Sequence, residues 1–180
     1  VNVAAFEIYY MENDKIVWQN RAQVGREFSK TPQYRDDIQY LVLNPTWTVP
    51  YSIATKEMLP KIKANPYQYA EEFELFVNGK VADWGSVNWS SYGGGSFPFT
   101  FRQKPGVKNA LGKVKFMLPN KHNIYLHDTP AKDKFANSTR AFSHGCIRLS
   151  RPGDLAFKLL GEKKGMSEAQ IEGIWAEGQT

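Results

Sequence analysis

Asn123-Ile124-Tyr125-Leu126-His127 is an alternating run that ends on a histidine, and nineteen positions further on Ser143-His144-Gly145-Cys146-Ile147-Arg148 holds the only cysteine of the 180-residue chain. The first run predicts a strand whose last side chain lies near a sheet rim. A strand end and the loop after it can return such a histidine to the side of a residue further along, so the rest of the fold is placed around these two stretches.

Just upstream, Val114 to Leu118 reads as a neighbouring strand with Val114 and Phe116 on one face and Lys113 and Lys115 on the other. Ile38-Gln39-Tyr40-Leu41-Val42-Leu43 is a strong β run closed by Asn44-Pro45. Val1 to Tyr10 and Lys15 to Val24, joined by the turn cluster Glu12-Asn13-Asp14, read as a hairpin, and polar Gly25 to Asp37 as a loop. This spacing suits antiparallel strands. Between them, Ile53 to Leu59 and Tyr67 to Phe73 read as short helices, the second opened by Asn65-Pro66. Asn78-Gly79 between apolar flanks predicts a tight hairpin. The tail reads as two helices: one over Leu155 to Leu160 ended by Gly161, and one opened by the capping-box pattern Ser167-Glu168-Ala169-Gln170 and running to Trp175. The expected fold is mainly β with short helices (α+β), a single domain over residues 1–180 with a candidate helix and hairpin insertion at about 52–104.

Within that insertion, the run from Trp89 through Tyr92 and Gly93-Gly94-Gly95 to Phe101 is rich in aromatics and glycine. Two readings stand: a substrate cover in which residues such as Tyr92 meet the ligand, or a connector whose aromatics pack on the insertion. The glycines lack the Lys-Ser/Thr and strand-to-helix context of a phosphate-binding loop.

With 42% hydrophobic residues the chain can bury one substantial core, and 14% aromatics argue against disorder. The net charge of +5 suits an anionic partner, but the lysines are scattered and form no dense arm, so no nucleic-acid partner is expected. One cysteine permits no internal disulfide. No apolar run approaches the ~20 residues of a membrane span, and no signal peptide opens the chain. The chain is therefore expected to be a mature fragment of a longer precursor, with any membrane anchor outside it.

Cys146 is the strongest nucleophile available. A free thiol, with a pKa near ~8.5, needs a neighbouring base or cation to act at neutral pH. His127 is the candidate base, and the carbonyl or carboxylate of Asp128 the candidate group for its other ring nitrogen. His144, two positions before the cysteine on a tight glycine turn, is better placed for substrate than for the thiol. Backbone N–H groups at Gly145 and Cys146 are candidate oxyanion donors. A buried inert thiol is the plain alternative, although Ser143, His144 and Arg148 are poor core material. A zinc site from Cys146, His144 and His127 lacks dense ligand spacing, and no metal or organic cofactor is expected. A papain-like nucleophile would open a helix, which Cys146 does not.

His127 followed by Ser143-His144-Gly145-Cys146, with Asn109-Ala110-Leu111-Gly112 upstream, closely resembles the signature of the L,D-transpeptidase catalytic domain of YkuD type. Asp128-Thr129 stands where many members have Gly-Thr, and Arg148 where some have Asn. The resemblance implies a β-sandwich-like fold, in some members with an insertion that caps the active site. It implies an acyl-enzyme at Cys146, His127 as base, and His144 and Arg148 at the acyl pocket; Ser143 is a further candidate for binding substrate. It further implies peptidoglycan stem peptides as donor and acceptor, carbapenems as acylating inhibitors, and work in the periplasm or cell envelope. A non-catalytic wall-binding module and an L,D-carboxypeptidase using water are the competing functions.

Overall fold

The computed structural model describes residues 1–93 and 95–180; Gly94, in the middle of the glycine run, lies outside the described residues. In chain order the first strands are β1 (Glu7–Glu12), β2 (Lys15–Gly25), β3 (Tyr40–Leu43) and β4 (Trp47–Thr48). A helical stretch follows, made of α1 (Tyr51–Ile53), a π-helical segment (Ala54–Met58) and α2 (Leu59–Ala64). Next come β5 (Phe73–Val77), β6 (Lys80–Ala82), β7 (Phe99–Gln103), β8 (Val114–Met117), β9 (Leu126–His127), β10 (Ala141–Ser143) and β11 (Ile147–Leu149). Helices α3 (Pro152–Lys164) and α4 (Glu168–Glu177) end the chain.

The strands form two sheets. The larger runs β1-β2-β11-β9-β8-β3, with β10 also paired to β2; the smaller runs β4-β7-β5-β6. Each has its own apolar cluster. Val114, Phe116, Leu126, Ile147 and Leu149 of the larger sheet pack with Leu155 and Ala156 of α3. The smaller sheet buries Leu75, Phe99 and Phe101 with Met58, Leu59 and Ile62 of the helical stretch and with Trp84 and Trp89. The chain thus has the mainly β, α+β fold expected of it, with one difference in pairing. β9–β11 and β10–β2 are parallel, so the larger sheet is mixed rather than antiparallel.

The two hairpins form where the turn residues place them: Asn13 and Asp14, and Asn78 and Gly79, all adopt positive φ, the conformation that two-residue hairpin turns demand. Four expectations are corrected. Residues 1–6 are turn, with only an isolated bridge from Asn2 to Glu7. Tyr67 to Phe73 is a run of turns: Asn65 caps it as an Asx turn, its Oδ1 accepting from the Tyr67 N–H at 3.3 Å, but Phe73 is drawn into β5. The helix expected to stop at Leu59 continues to Ala64. Pro60 offers no N–H and its ring crowds the carbonyl four residues back; the turn before it widens to a π segment, closed by the Leu59 N–H on the Ala54 carbonyl. Finally, α3 runs through Gly161 to a left-handed cap at Gly165. The capping box of α4 forms as expected, between Ser167 and Gln170.

Candidate active site

The register of two short strands builds the site. Leu126 pairs with Ile147 and His127 with Arg148, and the Ile147 N–H extends the pairing to the Tyr125 carbonyl at 3.1 Å. Side chains alternate across a strand. Leu126 and Ile147 therefore enter the core, while Tyr125, His127, Cys146 and Arg148 line the opposite face. That face is one wall of a cleft of about 780 Å³, within the range of small-ligand sites. Trp47, Thr48, Pro50, Ile53 and Glu57, from β4 and the helical stretch, line it too.

His127 is buried, and its Nδ1 meets the backbone carbonyl of Asp128. A carbonyl only accepts, so Nδ1 carries the hydrogen and Nε2 keeps the lone pair that a base needs. Burial, and then the charge of Arg148, lowers the pKa of His127 to about 3, against the opposing effect of the Asp128 hydrogen bond. The Asp128 carboxylate does other work. It accepts from the Lys113 N–H at 2.9 Å and from Lys132 Nζ at 2.5 Å, and Lys132 Nζ also reaches the Ser150 carbonyl at 2.8 Å. This ties the end of β9 to the end of β11. It also explains the glycine of Asn109-Ala110-Leu111-Gly112: Gly112 has φ +59°, and a Cβ there would fall 2.3 Å from the Asp128 carboxylate.

The thiol turn is braced from within. Ser143 Oγ donates to the Cys146 carbonyl at 2.6 Å and accepts from the Gly145 N–H at 3.0 Å. The Gly145 carbonyl accepts from Thr31 Oγ1 at 2.7 Å. Gly145 itself has φ +122°, and a Cβ would sit 2.9 Å from Ile124 Cδ1. Ser143, a candidate for binding substrate, lines the cleft, and one expectation, for Gly145, changes here. Ser143 holds the turn, and the Gly145 N–H is occupied by its hydroxyl, leaving the Cys146 N–H, which has no acceptor among the described residues, as the candidate oxyanion donor. The thiol lies 3.7 Å from the Asn123 carbonyl. Burial raises its pKa, against the Tyr125 N–H and hydroxyl and the charges of Lys115 and Arg148.

Arg148 is partly buried, reaches Gln23 Oε1 at 3.4 Å with Nη1, and leaves Nε buried without a partner. His144 stands at the cleft, its Nε2 2.7 Å from Glu57 Oε1 and 2.8 Å from Arg26 Nη2. Tyr92 is not among the residues lining the cleft: it packs edge-on against Phe97 and Phe99. Trp89, Phe97, Phe99 and Phe101 are buried in the smaller sheet's core, so the aromatics of this run are packing residues. Arg140 is buried on backbone carbonyls of Ala22, Phe6 and Asn137.

Sequence reasoning missed Lys115, Tyr125, Glu57, Arg26 and Thr31. For Lys115 the signal was present, since it alternates with the fully buried Val114 and Phe116 and must face away from the core. Its Nζ lies 4.0 Å from the centroid of the Tyr125 ring, and burial lowers its pKa. Tyr125, whose pKa burial and the thiol raise, shares the face of His127 by the same alternation. Glu57, Arg26 and Thr31 arrive through tertiary packing and carry no local signature.

A nucleophilic thiol, a lone-pair base with its tautomer set by a carbonyl, a free backbone N–H and two cations on one wall suit acyl transfer. The family model of the L,D-transpeptidase catalytic domain matches residues 1–159. Over its whole length the chain is 34% identical to a Haemophilus influenzae protein named "Putative L,D-transpeptidase", and it spans 37% of that protein's length. By the match of its sequence and the motif that carries Cys146, the chain belongs to the L,D-transpeptidase catalytic domain family.

Proposed function

We propose that the protein transfers acyl groups between peptidoglycan stem peptides through a thioester on Cys146. The observation that carries this reading is the β9–β11 register, which sets Cys146 and the Nδ1–H tautomer of His127 on one wall of the cleft. The Cys146 sulfur attacks the carbonyl of the third, L-centred residue of a tetrapeptide stem. Its proton passes to His127 Nε2 and on to the leaving amine, expelling D-alanine. The Cys146 N–H holds the oxyanion, a contact typically worth ~2.7–4 kcal/mol. Lys115 and Arg148 favour negative charge at the sulfur and at the substrate's carboxylates. The amine of a second stem then takes the acyl group, forming a 3-3 crosslink and restoring the thiol. With water as acceptor, the same intermediate gives an L,D-carboxypeptidase.

The working place is the periplasm or cell envelope, where such stems occur, and carbapenems acylate the same sulfur. The segment carrying the smaller sheet caps the cleft through the residues it contributes to the walls. The test is mass spectrometry of the intact protein and its products after mixing with a disaccharide-tetrapeptide, beside Cys146→Ser. D-alanine release with an acyl adduct or crosslinked dimer, for the native thiol alone, is the expected result. Binding without release by either form would make the protein a wall-binding module.

A further inference from the structure

The residues assigned to acyl transfer leave unused a cluster of three at the cleft. Glu57 Oε1 lies 2.7 Å from His144 Nε2 and 3.3 Å from Arg26 Nη2, and Arg26 Nη2 lies 2.8 Å from the same ring nitrogen. One nitrogen cannot serve both neighbours. Carrying a hydrogen, Nε2 donates to the carboxylate and opposes the guanidinium N–H; carrying a lone pair, it accepts from Arg26 and opposes the carboxylate oxygen.

The two competitors belong to different parts of the molecule. Arg26 directly follows β2, and its N–H donates to the Ser143 carbonyl at 3.0 Å, so it is fixed to the thiol turn. Glu57 comes from the π segment, whose residues Ala54 and Met58 pack into the smaller sheet's core. Its carboxyl pKa is lowered, chiefly by the His144 hydrogen bond.

We propose that Glu57 is a positioning residue that keeps a hydrogen of the His144 ring on Nε2 and leaves Nδ1 as an acceptor towards the substrate. Without Glu57, Arg26 donates to Nε2 and the hydrogen moves to Nδ1, turning an acceptor into a donor. The placement of the smaller sheet is thereby expressed as a tautomer next to Cys146. The consequence for turnover rests on the acyl-transfer reading; the tautomer does not.

The test uses the whole chain with 15N-labelled histidine, in long-range proton–nitrogen spectra at about pH 8.5. His144→Asn identifies the signals of this ring. In the native protein and in Glu57→Gln, whose amide oxygen still accepts, Nε2 is expected in the pyrrole-like range. In Glu57→Ala it is expected to move to the pyridine-like range. Arg26→Gln keeps the native pattern. In D-alanine release, Glu57→Ala loses roughly three- to tenfold in kcat/KM, the scale of one hydrogen bond, and Glu57→Gln regains most of it. An unmoved Nε2 in Glu57→Ala, or a shifted Nε2 with native kcat/KM, overturns the proposal. If the native protein releases no D-alanine, the acyl-transfer reading fails and the spectra alone decide the role of Glu57.

Discussion

At the scale of single residues, burial pushes both Cys146 and His127 towards their neutral forms. Burial raises the thiol and lowers the imidazole, which favours a thiol and a free base on one wall of the cleft over a thiolate–imidazolium pair. A group raised by burial ionises late as pH climbs. Alkylation of Cys146 by iodoacetamide is therefore expected to accelerate about tenfold per pH unit from pH ~6 to beyond the ordinary thiol value near ~8.5. No plateau should appear on the acid side, where a preformed ion pair would give one. His127→Gln should leave that profile close to native, because the imidazole is neutral throughout the window, while D-alanine release drops by roughly 10²–10⁴. A rate that levels off below pH ~7 would show the ion pair instead. The pair itself was legible from Asn123–His127 and Ser143–Arg148. The orienting group was not: the carbonyl and the carboxylate of Asp128 are equally close in sequence, and only the packing of Gly112 and Lys132 commits the carboxylate elsewhere.

At the scale of elements, strands were legible wherever a turn residue closed them, as at Asn78-Gly79 and Asn44. Helix limits were less so. Asn65-Pro66 carries a sound start signal, yet Phe73 buries more by pairing in β5, and tertiary contact outweighs propensity. Short parallel pairs such as β10–β2 leave little periodicity to read. They are held partly by Arg140, next to β10, whose guanidinium donates to the carbonyls of Ala22 at 3.3 Å, Asn137 at 2.9 Å and Phe6 at 3.0 Å. Hydrogen bonds from a charged donor contribute about 1.5–3 kcal/mol each and are not additive. Arg140→Met should lower unfolding stability by at least about 2 kcal/mol in urea, with the carbonyls left buried. An unchanged urea midpoint would place this guanidinium outside the forces that hold β10.

At the scale of the whole molecule, two apolar clusters stand where the sequence promised one core. The 42% hydrophobic content counts apolar residues without sorting them, so the aromatic run from Trp89 to Phe101 read equally well as a cover or as packing. Its burial decides for packing. Trp89, 3% exposed, donates its indole N–H to the Trp84 carbonyl at 3.2 Å. Trp89→Ala should cost about 3–5 kcal/mol. Hydrogen exchange should show the loss concentrated in β5 and β7, with β8 and β11 keeping most of their protection. Equal loss across both sheets would mean that the clusters unfold as one.

The order of the strands also bears on how the protein is made. β11, which follows the cysteine, sits between β2 and β9, so β2 pairs with a strand far from it in sequence. Closing so long a loop is entropically slow, and contacts of this kind form late. Until β11 is in place, the β9–β11 register that sets His127 and Cys146 on one wall of the cleft cannot form. The two middle strands of the larger sheet, which carry the cleft wall, are thereby joined to β2 late in folding.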